Sequence, residues 1–315
     1  MNPHNENPNP TQRETGFEPH VEVDGALDVS PNLASGELSP APAPGAWNFS
    51  SGTGGFPSST RFIPEDLRVP WGWWDVALLA VIGLVGLLLF GTVFAAALQT
   101  AGVSRAQIQH SMVYQGRFAI VAMVFLSFLL LFYLALQMRL RFRSPILRTL
   151  RWQPLESGRM RPLFAYLGFI SGGFLLSIFV ALASSAFTPK NKMPIEQYFQ
   201  DRPTALLLLI VSVTLAPLFE ETIFRGYLYP VVARTFGIVP GVIFTGLLFG
   251  LMHASQLAGN LPQVALIMLV GVVFTAARAK TGNVLPGYLL HVSYNSFIAI
   301  AFLIASHGLR HMPPA

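Results

Sequence analysis

Residues 76–98 contain no charged side chain and a single hydroxyl, Thr92. At about 1.5 Å per residue, a helix of that length crosses the roughly 30 Å apolar core of a bilayer. Backbone N–H and C=O groups placed in lipid must be satisfied within the segment, which leaves helix as the form for such a run. Six further apolar runs follow, at 118–138, 163–187, 204–219, 238–252, 262–277 and 284–305. The pattern predicts an all-α fold, a polytopic transmembrane bundle of about seven helices. Composition agrees, because 52% hydrophobic and 11% charged residues are outside the range of an ordinary soluble domain. Trp71, Trp73 and Trp74 mark the entry to the first span as an interfacial belt.

Charge divides the chain. Residues 1–60 hold seven acids and one base, a balance of −6, whereas the whole chain carries +5, so the remainder carries +11. That first stretch is rich in Pro, Asn, Ser and Gly with no apolar period, and is expected to be a disordered tail that cannot offset its ordering entropy. Residues 61–162 read as N-terminal transmembrane helices with an arginine-rich loop, 163–306 as the functional core and 307–315 as a short C-terminal tail. Arg139, Arg141, Arg143, Arg148, Arg151, Arg159 and Arg161 crowd the connection between the second and third runs. An excess of arginine in a short loop marks the cytoplasmic side, which puts the N-terminus inside and the C-terminus outside. The basic balance is therefore a topology signal; no nucleic-acid partner is expected, and oligomeric state is not encoded in any motif. The absence of cysteine excludes disulfides, thiolate metal sites, a cysteine nucleophile and cysteine lipidation.

The fourth run ends in Ala216-Pro-Leu-Phe-Glu-Glu-Thr-Ile-Phe-Arg-Gly226, which carries three charges. Each such charge near the centre of a membrane helix costs about 2.5–3.5 kcal/mol, so it persists when paired or functional. Glu221 and Arg225 stand four apart with the acid first, the favourable order for a helix ion pair. Glu220 is left over and points about 100° away. If this helix turns at Gly237, Glu220 lies as far before the turn as His253 lies after it, and an antiparallel hairpin brings the two to one depth. Gly246 and Gly250 give that second helix a small-residue face for close approach, and Phe249 sits one turn before His253. On the last run His291 and Asn295 share a face. Pro217 removes a helix hydrogen bond and predicts a kink near Val213. An unpaired acid, two imidazoles and a carboxamide exceed what packing requires. A proton-coupled transporter or a membrane scaffold is the non-enzymatic class that could use the same buried charges.

In order and context these residues resemble the CAAX prenyl protease and bacteriocin-processing family of intramembrane proteases, which includes type II CAAX endopeptidases and lysostaphin-resistance-like proteins. The Glu-Glu-x-x-x-Arg motif falls on Glu220, Glu221 and Arg225, Phe-x-x-x-His on Phe249 and His253, and His-x-x-x-Asn on His291 and Asn295. The resemblance covers about residues 203–305. It implies an endopeptidase acting on a peptide or protein substrate at the lipid bilayer. In it Glu220 and His253 activate water, His291 and Asn295 support the oxyanion, and Glu221, Arg225 and Phe249 are supporting residues. A metalloendopeptidase assignment, in which Glu220, His253 and His291 hold a zinc ion, stays open beside the metal-independent one.

Overall fold

The computed structural model describes residues 63–155, 162–187 and 198–310. The expected tail at 1–60, Arg159, Arg161 and most of 307–315 lie outside them. Among the described residues every regular element is helical. Six helices are long and apolar enough to cross a membrane, and Ile238–Met252 is a seventh, shorter apolar helix.

The chain enters through a 3-10 turn, Glu65–Leu67, and then α1, Trp73–Thr100. Apolar all round, α1 buries only Asp75, Leu79 and Gly83 and turns the rest outward, as a helix solvated by lipid does. After the short α2, Arg105–His110, comes α3, Met112–Leu136, which ends in a π turn, Gln137–Arg141. Gly83 and Gly86 of α1 receive Leu130 and Leu129 of α3, and Phe90 stacks on Phe125 at 4.7 Å. Asp75 caps its own helix by accepting from the Gly72 N–H at 2.9 Å. Its other oxygen accepts from Gln137 and pairs with Arg141. Gln137 in turn accepts from the Tyr227 hydroxyl at 2.7 Å. Asp75 is thus both a helix cap and a buried junction between the N-terminal hairpin and the core.

A loop with the four-residue helix α4, Ile146–Thr149, leads towards α5, Pro162–Ser185. Then follows a continuous 35-residue rod, Arg202–Phe236. The run at 204–219 is therefore the first half of a longer element. The rod is built from α6 (Arg202–Val213), α7 (Leu215–Glu220), a π-helix (Glu221–Leu228) and α8 (Tyr229–Phe236). Asp201 caps it, accepting from the Thr204 N–H at 3.2 Å, with Pro203 in the first turn. The break falls at Thr214 (φ −110°, ψ −76°). Pro217 lacks an N–H and its ring crowds the carbonyl four residues back, that of Val213, so the distortion appears in the turn before the proline. The rod ends at Gly237, whose φ of 103° only glycine adopts without strain.

The chain returns in α9, Ile238–Met252, crosses again in α10, Leu261–Thr281, and closes with α11, Leu285–Ala305. A Cβ on Gly246 or Gly250 would lie 2.5 Å from the backbone nitrogen of Val272 or Met268, so α9 and α10 touch backbone to backbone. Gly173 of α5 seats against the Leu290 carbonyl of α11 in the same way. Such contacts need residues without side chains, because helices in lipid associate by packing and not by escape from water.

The Arg225–Phe236 stretch does not project from the bundle. Tyr229, Val231, Val232 and Ala233 are buried, and Arg234 donates to the carbonyls of Val69 at 2.8 Å and Trp71 at 2.6 Å. The same end of the bundle gathers Arg278 with Asp66 at 2.8 Å, Arg151 with Glu65 at 3.3 Å, and Asn283 donating to the Gln153 carbonyl at 2.8 Å.

Candidate active site

Glu220 closes α7 and Glu221 opens the π-helix, so the two adjacent carboxylates leave the rod in different directions. Glu221 turns inward and is fully buried with Arg225; their ion pair measures 2.9 Å. The guanidinium spends its other donors on α10, on the Gly271 carbonyl at 2.9 Å and the Thr275 hydroxyl at 3.2 Å. Its carbon also sits 4.4 Å from the Phe249 ring centre and 5.5 Å from that of Phe274. Rings stacked on a desolvated cation add attraction where water cannot.

Glu221 has a second partner. Its Oε1 lies 3.0 Å from Nδ1 of His291 on α11, so one carboxylate oxygen holds both the arginine and the imidazole. Since a carboxylate only accepts, the His291 Nδ1 carries the proton of that bond. Its Nε2 then points back towards Glu220, 3.7 Å from Oε2. Gly287, one turn earlier on α11, makes room for Glu221: a Cβ there would come within 2.6 Å of its Oε2.

Glu220 faces both imidazoles. Its Oε2 is 4.0 Å from Nε2 of His253 as well, and it has no hydrogen-bond partner although the atom is buried. His253 is the residue that ends α9, and its Nδ1 lies 2.9 Å from the Phe249 carbonyl one turn back. A carbonyl accepts only, so Nδ1 is the donor and the unprotonated Nε2 of the neutral ring is turned to Glu220. Of the two rings His253 is the more open, at 24% side-chain exposure against 6% for His291. The hairpin about Gly237 and the shared face on α11 thus put Glu220, His253 and His291 around one point. Asn295 stands one turn beyond, where its amide donates to the Ser212 carbonyl at 2.7 Å, across the break in the rod. Phe249 lies in the wall between Arg225, His253 and His291.

Three links escaped the sequence. The i,i+4 pair accounts so fully for Glu221 that nothing in the sequence suggests its bond to His291. Gly271 and Thr275, the α10 partners of Arg225, are signalled only as small residues four apart. Trp152 donates to the Thr222 hydroxyl at 3.2 Å and packs edge-on against Tyr288 at 5.3 Å, tying the arginine loop to residues adjoining both Glu221 and His291.

Zinc would require at least three donors converging within bonding range of one ion. Among the described residues no group of three or more His, Asp or Glu side chains is placed to hold a metal ion.

The helices and the charges buried among them define a multi-pass membrane protein with a carboxylate–imidazole site inside the bundle. Residues 202–297 match the family model described as type II CAAX prenyl endopeptidase Rce1-like, the family that the motifs at Glu220, Phe249 and His291 resemble. A curated relative, an uncharacterized 24.3 kDa protein of Escherichia coli, is 34% identical over 125 residues, which cover 38% of this chain and 54% of the relative. The chain thus spans about half the length of that relative. No solved structure matches.

Proposed function

We propose that the protein is an intramembrane endopeptidase that hydrolyses a peptide bond of a membrane-associated peptide or protein, with residues 163–306 as its catalytic unit. The observation that carries this reading is the Glu220 carboxylate oxygen, buried without a hydrogen bond and facing two imidazole nitrogens at 3.7 and 4.0 Å. Both Glu220 Oε2 and His253 Nε2 are acceptors, so a water between them gives one hydrogen to each and keeps a lone pair for the scissile carbonyl. As that oxygen bonds to the carbonyl carbon, Glu220 takes its proton and later returns one to the departing amine. The carbonyl oxygen, now negative, needs donors. His291 supplies one from Nε2 when its ring is doubly protonated, a form flanked by Glu221 and Glu220. Asn295 supplies another from the second N–H of its amide, the first being held by Ser212. Each such donor is worth about 10²–10³ in kcat. Glu221 and Arg225 hold His291 and the π-helix in place.

Glu220→Gln preserves shape and removes the base, and general-base loss costs about 10²–10⁴ in rate. Peptide profiles of cells carrying native protein and this variant should differ by substrates that persist uncleaved. Identical profiles from a folded variant, together with a pH-dependent ion flux in liposomes that the substitution abolishes, would replace the protease reading with a transporter.

The arginine end is proposed to face the cytoplasm. Since the chain has no cysteine, single-cysteine variants Pro145→Cys and Arg310→Cys report topology directly. The first should resist a membrane-impermeant reagent in intact cells and the second should react; labelling of both would refute this orientation.

A further inference from the structure

At the arginine end, away from the Glu220 site, a cavity of about 310 Å³, open to the surface, is lined by residues that include Glu65, Arg68, Pro145, Arg148, Thr149 and Arg151. Three guanidinium groups against one carboxylate leave it cationic. Arg151 is committed in part: it donates to the Glu65 carbonyl at 2.8 Å and its carboxylate at 3.3 Å, while its own carbonyl accepts from Val284 at 2.9 Å. This residue holds a left-handed backbone, φ 61°, rare for any residue but glycine. Among the described residues Arg68 donates through its Nε alone, to the Ile63 carbonyl at 3.0 Å. Arg148 has no partner among the described residues. Most of the N–H donors that could reach the cavity are therefore unspent among the described residues, and the guanidinium fork matches phosphate oxygens two at a time.

Depth in the membrane decides the source of the anion. The cavity adjoins the turn that leads into α1, where Trp73 and Trp74 are exposed, and its Pro145 wall follows the π turn Gln137–Arg141, where Leu140 is exposed. Leu147, beside Arg148 on α4, is 66% exposed, an apolar side chain aimed outward next to a guanidinium. That is the environment of lipid headgroups, with acyl chains below. We propose that this cavity binds the phosphate of an anionic phospholipid headgroup, with Arg68 and Arg148 as ligands and Leu147 against the glycerol and upper acyl region.

The test uses the full-length protein in neutral detergent, with native mass spectrometry and melting temperature as readouts. Short-chain phosphatidylglycerol, the phosphatidylcholine of the same chain length, and glycerol phosphate are titrated in turn. Saturable binding of phosphatidylglycerol, with weaker binding of the other two, is the expected result. Arg68→Gln with Arg148→Gln should weaken it by about 25-fold, near fivefold for each arginine. Arg139→Gln with Arg143→Gln makes the same charge change on exposed arginines outside the cavity and should have little effect. Equal weakening by both pairs would reduce the effect to general loop charge and overturn the site. Equal binding of phosphatidylcholine, or no saturable binding, would overturn it too, and glycerol phosphate bound as tightly as the lipid would overturn the lipid assignment.

Discussion

Two carboxylates adjacent in sequence occupy opposite regimes. Around Glu221 nearly every donor has an acceptor: Arg225 spends its charge on Glu221, Gly271, Thr275 and an aromatic wall, and His291 is fixed from the same oxygen. Around Glu220 the distances are 3.7 and 4.0 Å and a buried oxygen is unbonded. Glu221 also keeps one buried oxygen, Oε2, without a hydrogen bond, but its Oε1 holds two partners at bonding distance, whereas neither imidazole reaches Glu220; capacity left unmet between facing polar groups is where a reacting molecule can be bound. In the proposed mechanism stability and chemistry are thus separated by a single step along the chain.

That contrast can be broken by substitution. Arg225→Ala strands the Glu221 charge in the bundle and should cost about 3–5 kcal/mol, seen as a large fall in melting temperature or yield. Glu220→Gln should leave the melting temperature near native while abolishing cleavage; comparable destabilisation by the two would erase the distinction. Gly250→Val forces a side chain into the backbone of Met268 and should cost about 1–3 kcal/mol. Because it also moves the helix that carries His253, its activity should fall more than its stability, measured on the folded fraction.

The smallest effect is expected far from both carboxylates. Asp201, ahead of the rod, has its carboxyl held below the usual range, chiefly by the Thr204 hydroxyl. A group with a lowered folded value stabilises fully above its unfolded value of about 3.9 and loses that contribution as pH falls through the folded value. Asp201→Ala should cost about 1 kcal/mol at neutral pH, and the gap from native protein should close in acid denaturation series below pH about 4.

Much of this was legible in the sequence where a single helix or hairpin decides the geometry. Charge-free length makes α1 a span, Gly237 sets the turn, and equal spacing about it brings Glu220 to His253. Gly246 and Gly250 announce a backbone contact without naming Val272 and Met268 as its other side. Where a side chain chooses between partners on different helices, the pattern along one helix is silent. Asn295 lies on the expected face, yet its partner Ser212 is set by the break in the rod. The π-helix over Glu221–Leu228 has no local signature, since it follows from Arg225 reaching α10 and Glu221 reaching α11.

That π segment has a further consequence, in phase. Each of its i→i+5 turns takes about one residue more than an α turn, so the faces of the rod before and after it are out of register by about 100°. The half that carries Glu220 and the half that packs beneath residues 63–72 are therefore aimed independently, like two cams on one shaft. Deleting one residue between Thr222 and Leu228 would restore a plain α-helix and swing Glu220 away from His253 while Tyr229 and Arg234 kept their seats. Chimaeras that exchange one half of the rod should keep the site only if they keep that extra residue.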